Sequence, residues 1–454
     1  MELFSAQDKT VRVTSTATFD PNVTEYVMGW EPDTIQPKLY SDWKTETLSW
    51  KTGCTFHTQL SGLIHSRLKG PDASALLDYV MVNNFDLDHF KVGRAKHAVG
   101  CDEEGYVEGH GLVIRRAEDE FDLFIGTKRL EDEIATGKWD VEPIHYGERF
   151  VFQIGGPKSL EVIENIAKQD IHDIPFMGTG SVKILGIDCL VVRMGMSGTL
   201  AYEIQGPIEN VIEIYDECVR VGEPLGLVKM ANLAYCCQHT ENGFMNDSLH
   251  FWDSLFIKAG GEGMENCSAT AADVFRGSLA DQPREAYMVN PLEADFGRSI
   301  SWRKEKFVGK EALEKLRDDP KTRKLVTLVW NPEDILKVYA TLFDEGGDIA
   351  CQFGFPRDSQ ATDCWADIQD KVLDADGNLI GKSMGRVYTY YYRKVISLCC
   401  IDPEFSEIGT EVTVLWGDPG TRQVPIRATV AKVPFLDLVS NKDFDVETVP
   451  HYRG

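Results

Sequence analysis

The chain has 454 residues, enough for two or three hydrophobic cores, and its 43% hydrophobic and 26% charged residues are those of an ordinary globular protein. With 47 Lys/Arg against 72 Asp/Glu the formal net charge is −25, which repels phosphate backbones and anionic membranes and argues against nucleic-acid or membrane binding as a bulk property. The start, MELFSAQDKTVRVTSTATFD, lacks the basic and apolar parts of a signal peptide, and no run reaches the roughly 20 apolar residues of a membrane helix, so a cytoplasmic protein is expected.

Residues 1–50 are polar with scattered aromatics (Tyr26, Trp30, Tyr40, Trp43, Trp50) and read as short helices or loops over a pocket. Cys54 to Leu68 alternates as two strands joined near Ser61-Gly62, and Gly70-Pro71-Asp72 opens a helix over Ala73–Tyr79 with Asp72 as N-cap. A strand–turn–strand follows, Ala98–Cys101 and Tyr106–Ile114 about Glu103-Glu104-Gly105, then a strand Phe121–Gly126 and a helix Thr127–Thr136. Phe150–Ile154 is a strand, Gly155-Gly156-Pro157 a turn, and Lys158–Lys168 a helix; Gly206-Pro207 and a helix Ile208–Val221 repeat that order. Together with Gly70-Pro71 this makes three strand/Gly-Pro/helix units, the mark of an α+β region built from related halves. Phe251–Ala280 has no clear period, and Phe307-Val-Gly-Lys-Glu-Ala-Leu313 starts a helix that ends before Asp318-Asp-Pro320. Beyond a boundary near 320, Val326–Trp330, Ala340–Phe343, Ser383–Tyr392, Val395–Ile401, Val412–Trp416 and Gln423–Lys432 read as strands between Gly/Asp/Pro turns, which is the pattern of a small barrel.

Phosphate-loop, dinucleotide, zinc-protease and nucleophile-elbow motifs are all missing. The eleven cysteines include the adjacent pairs Cys236-Cys237 and Cys399-Cys400 but no metal-type spacing, so reduced thiols and no metal site are expected. Asp363, Asp367 and Asp370 lack the spacing of a calcium loop and read as a solvated acidic face. Tyr388-Thr-Tyr-Tyr-Tyr-Arg393 reads as a packed aromatic strand. His57, His65, His110, His239 and His250 fall in segments that bound the expected pocket, although a lone histidine is more often a structural hydrogen-bonder. The segment Met194–Pro207 combines a flexible turn (Gly195, Ser197, Gly198) with a strand in which Leu200, Tyr202 and Ile204 alternate with Ala201, Glu203 and Gln205. Alternation places Glu203 away from Tyr202 and Ile204; it is either an ordinary solvent-facing glutamate or a carboxylate offering two acceptors to a donor-rich ligand edge.

Several features together resemble the aminomethyltransferase (glycine-cleavage T-protein) family. They are the Gly-Pro units, Gln153-Ile-Gly-Gly-Pro157, Arg193-Met-Gly-Met-Ser-Gly198 leading to Tyr202-Glu-Ile-Gln-Gly-Pro207, Phe307-Val-Gly-Lys-Glu-Ala-Leu313, and the C-terminal strands. Within the family the chain is most similar to tetrahydrofolate-dependent aryl O-demethylases of the vanillate/syringate type and related methylenedioxy-arene methylene transferases. The resemblance spans nearly the whole chain, including Asp42-Trp-Lys-Thr-Glu46, Glu241-Asn-Gly-Phe244 and Glu411-Val-Thr-Val-Leu-Trp-Gly417. It implies an α+β, three-lobed folate-binding fold: residues 1–320 as two related lobes (about 1–140 and 141–320), and 321–454 as a β-barrel domain.

The resemblance also implies roles. Glu203 matches the pterin-binding glutamate, Gln153 a second folate contact, and Phe176 and Phe244 aromatic walls, with tetrahydrofolate as cofactor. Tyr235, His57 and His110 become the candidates for proton transfer at the ether oxygen. Tyr26, Thr58, Ser61 and Thr127 fall on the substrate side. Thr58 and Ser61 stand where the vanillate enzymes have glutamine and histidine, His110 occupies an acidic family position, and Thr127 stands in place of the arginine that pairs with an aromatic carboxylate, followed by Lys128 and Arg129. A neutral methoxy- or methylenedioxy-arene is thereby implied as substrate, its methyl or methylene carbon passing to tetrahydrofolate. The alternatives are a glycine-cleavage-type aminomethyltransferase served by a lipoyl carrier protein, against which −25 argues weakly, and a non-catalytic folate-binding protein.

Overall fold

The computed structural model describes residues 2–6, 9–13, 19–28, 34–58, 65–247, 249–258, 275–356 and 367–453. They form two compact units interleaved along the chain: Met1–Ala98, His110–Tyr235 and Asp437–Gly454 in the first, Val99–Gly109 and Cys236–Leu436 in the second. Beside this division, the cut near 320 stands as our proposal for where the strand-dense domain begins.

The chain opens with β1 (Glu2–Ala6), β2 (Lys9–Val13), β3 (Glu25–Met28) and β4 (Thr34–Leu39), a sheet of order β1-β2-β4-β3. This corrects the expectation of helices or loops over residues 1–50; β-branched stretches such as Thr10-Val11-Arg12-Val13 suit extended backbone. In α1 (Trp43–Thr52), Asp42 caps the N-terminus by accepting from the N–H of Lys44 and Thr45 at 3.0 Å each.

Next come β5 (Cys54–His57), β6 (Ser66–Lys69), α2 (Ala73–Val80), β7 (Ala95–Cys101), β8 (Val107–Ala117), β9 (Glu120–Phe124), α3 (Lys128–Ala135), β10 (His145–Tyr146) and β11 (Arg149–Gly155). They are followed by α4 (Ser159–Ala167), β12 (Thr179–Ile184), β13 (Ile187–Val192), β14 (Ala201–Pro207), α5 (Val211–Gly222), β15 (Leu227–Lys229) and α6 (Asn232–Asn242). Two sheets result, of orders β12-β13-β14-β11-β5-β15 and β10-β6-β9-β8-β7. The expected strands either side of Ser61-Gly62 both exist, but β5 and β6 lie in different sheets; residues 59–64, Ser61 among them, lie outside the described residues. Asp72 stands at the N-cap of α2 without bonding it: its carboxylate accepts instead from the N–H of Asp140 at 2.8 Å.

The first sheet packs Phe56, Phe152, Ile154, Val191, Tyr202 and Ile204 with Leu160 and Ile163 of α4 and Ile214 and Tyr215 of α5. The second packs Leu68, Val113, Phe121 and Leu123 with Leu76, Leu77 and Val80 of α2 and Leu130 of α3. Their other faces meet, since Leu190, Val192 and Met194 form one cluster with Ala95, Leu112, Ile114 and Phe124. Along that shared interior, Asp122 of β9 lies 3.9 Å from Arg149 of β11, 3.6 Å from Arg116 and 3.2 Å from His65. The expected turn Gly155-Gly156-Pro157 has a steric reason: at Gly156 φ is +116°, and a Cβ would stand 2.5 Å from the Gly53 carbonyl oxygen.

The second unit holds α7 (Ser254–Lys258), β16 (Phe275–Arg276), α8 (Lys310–Asp318), β17 (Lys324–Trp330), α9 (Pro332–Ala340), β18 (Asp367–Leu373), β19 (Leu379–Thr389), β20 (Lys394–Ile401), β21 (Glu411–Trp416) and β22 (Val424–Ala431). Strand order is β16-β18-β19-β20-β17-β22-β21, and β18 pairs again with β21 through Val372 and Val414, closing six strands into a barrel around Leu328, Val372, Val414 and Ile426. The expected strand Ala340–Phe343 is instead the end of α9 and a 3₁₀ turn, because Asn331 accepts from the N–H of Glu333 and Asp334 and Pro332 suits the first helical turn. The aromatic strand ends at Thr389, and Tyr390–Tyr392 form a turn. Asp370 is not a solvated face: it is buried and accepts from the N–H of Ser278 at 3.0 Å, while Asp363 lies outside the described residues.

Candidate functional site

The site is built on β14. Its turn is tight: at Gly195 a Cβ would stand 2.5 Å from the Cβ of Ala201, and Gly198 has φ +69°. Tyr202 and Ile204 enter the core against α4 and α5, so Glu203 and Gln205 look into the space between the two sheets. The strand expected to be half-buried is therefore covered on both faces, with Glu203 4% and Gln205 0% exposed. A solvent-facing Glu203 is ruled out by the second sheet above it.

Register aligns the polar residues. Glu203 pairs with Gln153 on β11, and Gln153 pairs on its other side with His57 on β5. Gln153 Nε2 donates to Glu203 Oε1 at 3.1 Å, and Gln205 Nε2 donates to Oε2 at 3.0 Å. Burial pushes the Glu203 carboxyl up to about 7 against the pull of these two amides. Each carboxylate oxygen retains a second acceptor lobe, and Gln205 Oε1 is itself buried without a hydrogen-bond partner. Acceptor capacity therefore exceeds the donors present on the two Glu203 oxygens and Gln205 Oε1.

At the other end of the row His57 stacks flat on Tyr235, ring centroids 4.0 Å apart and planes 3° from parallel. Tyr235 lies one turn into α6, whose entry is fixed by a buried carboxylate. Glu46 Oε2 accepts from the N–H of Ala231 at 2.8 Å, and Oε1 from those of Tyr40 and Ser41 at 2.7 and 2.9 Å. Burial pushes Glu46 up to about 7 despite these bonds. Met230 N–H adds a bond to the Phe56 carbonyl at 2.8 Å. Thr58, buried, directly follows His57.

His110 pairs with a histidine not foreseen, His97, through Nε2 and Nδ1 at 3.0 Å. The signal was there to be read: His97 and His110 each stand six residues from the Glu103-Glu104 turn. Gln205 was also legible, two residues from Glu203 and so on the same face, whereas the capping role of Glu46 needs the tertiary fold. Tyr26, on β3, donates to the Asp20 carbonyl at 3.1 Å and stacks on Phe19, while the Asp20 carboxylate takes Lys229 of β15 at 2.6 Å. Phe176 is half-buried and its carbonyl accepts from Arg94 at 2.9 Å. Thr127 belongs to a separate cluster at the start of α3, bonded to the Tyr146 hydroxyl at 2.9 Å and Glu131 at 3.2 Å. Phe244 lies in the second unit, beside Phe296 and His239.

A family model described as the GCVT N-terminal domain matches residues 24–248. Over 438 residues the chain is 35% identical to the sesamin methylene transferase of a Sinomonas species, covering 91% of this chain and 93% of that one. The chain belongs to the GCVT family. It is 30% identical over 428 residues to the syringate O-demethylase of a Sphingobium species, covering 88% and 89%. An aminomethyltransferase of Caldanaerobacter subterraneus is 24% identical over 375 residues, covering 81% of each chain. The solved structure of glycine cleavage system aminomethyltransferase T from Bartonella henselae matches with a TM-score of 0.65 at 16% identity, covering 92% and 95%, so this GCVT chain has the aminomethyltransferase fold with its C-terminal barrel. As a GCVT protein it is a transferase-type enzyme, and none of its described helices is long and apolar enough to cross a membrane.

Proposed function

We propose that this enzyme transfers a methyl or methylene carbon from an aromatic ether to tetrahydrofolate, releasing a phenol or catechol. The observation that carries the reading is the buried Glu203 carboxylate, clamped by Gln153 and Gln205 with acceptor capacity to spare. Such a group suits the amino and ring N–H donors of a pterin, which would satisfy Gln205 Oε1 and relieve the cost of a buried charge. Tetrahydrofolate, when bound, would supply the amine nitrogen that takes the carbon.

The remaining tasks fall to side chains of the chain itself. A departing aryl oxygen needs a proton, and Tyr235 and His57 are stacked together at the other end of the row from the carboxylate, where hydroxyl and imidazole can donate or accept. His110 is the third candidate. Phe176 and Phe244 are proposed as walls of the folate site, and Tyr26, Thr58 and Ser61 on the substrate side. Thr127, on the substrate side by the resemblance, lacks the charge of the arginine it replaces and cannot pair with an aromatic carboxylate, which favours a neutral arene. The same ordering follows from the relatives: 35% and 30% identity to proteins named for a methylene transferase and an O-demethylase, against 24% for an aminomethyltransferase.

The test is incubation with tetrahydrofolate and a panel of neutral methoxy- and methylenedioxy-arenes, with mass detection of the phenol or catechol and of the folate product. Product from at least one arene, lost in Glu203→Ala together with folate binding, is the expected result. No product from any arene, with turnover of an aminomethylated carrier protein instead, would replace this reading by the aminomethyltransferase one.

A further inference from the structure

We infer that His97 is a positioning residue that sets the tautomer of His110, so that the two rings handle protons as a pair in the space between the sheets. For the reaction it serves, this inference rests on the one-carbon transfer proposed above; the pairing itself does not.

Placement comes first. His97 shares a face of β7 with Ala95, and His110 a face of β8 with Leu112, two residues away in each case. Ala95 and Leu112 pack in one cluster with Val192, whose register partner on β14 is Glu203. The histidine pair is therefore on the face that looks toward the strand bearing the carboxylate. The ring centroids are 5.2 Å apart with planes at 78°, and His97 Nε2 stands 3.0 Å from His110 Nδ1, within hydrogen-bond reach. The amide of Asn83 donates to the His97 carbonyl at 2.8 Å and fixes that stretch of β7.

The chemistry follows from the inventory of an imidazole. A neutral ring has one N–H and one bare nitrogen, so one ring of the pair donates and the other accepts. Burial pushes His97 down to about 4 and keeps it neutral. If His97 Nε2 donates, His110 Nδ1 accepts and His110 Nε2 already carries a proton, so that nitrogen cannot take another. If His97 turns to its other tautomer, His110 Nδ1 donates and Nε2 becomes a base. One hydrogen bond thus couples the state of the outer nitrogen of His110 to the inner ring. Aryl-ether transfer needs the base state: each C–N bond that forms frees one proton, which the bare Nε2 takes to give an imidazolium, and each C–O bond that breaks leaves its electron pair on the aryl oxygen, which takes that proton back from the imidazolium. The balance closes without an external acid or oxidant, provided one group accepts and returns the proton.

The experiment uses the full-length, ligand-free chain labelled with ¹⁵N-histidine, whose Nδ1 and Nε2 shifts report tautomers; the His110 signals are assigned by their loss in His110→Gln. Wild type is expected to show one dominant His110 tautomer. His97→Phe should move it toward the mixture of a free imidazole, and His97→Gln, which keeps an amide near the Nε2 position, should restore it in part. With an accepted arene, His97→Phe should lower kcat on the order of 10²-fold with KM little changed, and His97→Gln less. His110 shifts indifferent to both substitutions overturn the inference, and if His97→Phe does not fold, His97→Gln decides alone by the same shifts. Shifts that follow His97 in a protein that transfers carbon from no arene would leave the pairing standing and remove the reaction reading.

Discussion

At Glu203 burial and hydrogen bonding oppose each other, and burial prevails: the carboxyl rises from 4.5 to about 7 even with two amides donating to it. The sign of the resulting pH dependence is fixed. In the fold the group keeps its proton up to about pH 7, whereas the unfolded chain releases it near 4.5, so between those values the unfolded state binds fewer protons and stability falls as pH rises, by roughly 3 kcal/mol in all. Chemical denaturation at pH 4.5 and 7 should show this loss, smaller in Glu203→Gln; Glu46, also raised to about 7, gives a slope of the same sign, so the loss shrinks without vanishing. A ligand edge of N–H donors favours the ionised carboxylate. Calorimetric titration with tetrahydrofolate near pH 6.5, in buffers of different ionisation enthalpy, should therefore show proton release on binding that Glu203→Gln abolishes. The same variant should bind about 10- to 100-fold more weakly, the worth of a charge-assisted hydrogen bond.

The element that places Tyr235 is the start of α6, and it is held by a side chain from α1. Glu46 accepts three backbone N–H groups, from Tyr40, Ser41 and Ala231, none of which has a partner in a regular helix or ladder. Glu46→Ala leaves those donors buried and should cost on the order of 3 kcal/mol, read as a lowered denaturation midpoint. If the carboxylate also aims α6, turnover should fall further than Glu203-dependent binding does. An unchanged midpoint would remove the cap from the account of this site.

On the scale of the whole chain, the last residues return to the turn that begins β14. Arg193, immediately before that turn, donates to the carbonyls of Asn441 and Phe444 at 2.8 and 3.0 Å, and Asn441 Nδ2 donates to the Ala201 carbonyl at 2.9 Å. Both ends of Met194–Ala201 are therefore tied to one C-terminal asparagine. Farther along, His172 bonds Glu164 at 2.8 Å and the Val449 carbonyl at 3.1 Å, and Tyr452 N–H bonds Glu164 at 3.0 Å. Asn441→Ala should lower stability by about 1–3 kcal/mol, and it should raise hydrogen exchange in residues 194–201 above that of the α4–α5 core. Equal protection of the two regions would show that the C-terminal clasp does not govern the turn.

Much of the fold is legible in the sequence. Alternation and turn residues located β11, β14 and the barrel strands, the Gly-Pro units marked where helices start, and the resemblance singled out Glu203, Gln153, His57 and Tyr235, because these follow from local periodicity and motif order. Local pattern could not decide what covers a face. It left Glu203 open to solvent, Asp370 on a hydrated surface and Ala340–Phe343 in a strand, where the fold supplies a second sheet, a buried partner in Ser278 and a helix capped by Asn331. It also could not bring together residues far apart in the chain. The meeting of His97 with His110, Glu46 with Ala231 and Arg193 with Asn441 depends on which sheets and segments pack against one another. Periodicity by itself determined the strand β14 and which of its residues share a face; tertiary packing decided that the Glu203 carboxyl is dry, and burial is what raises it to about 7.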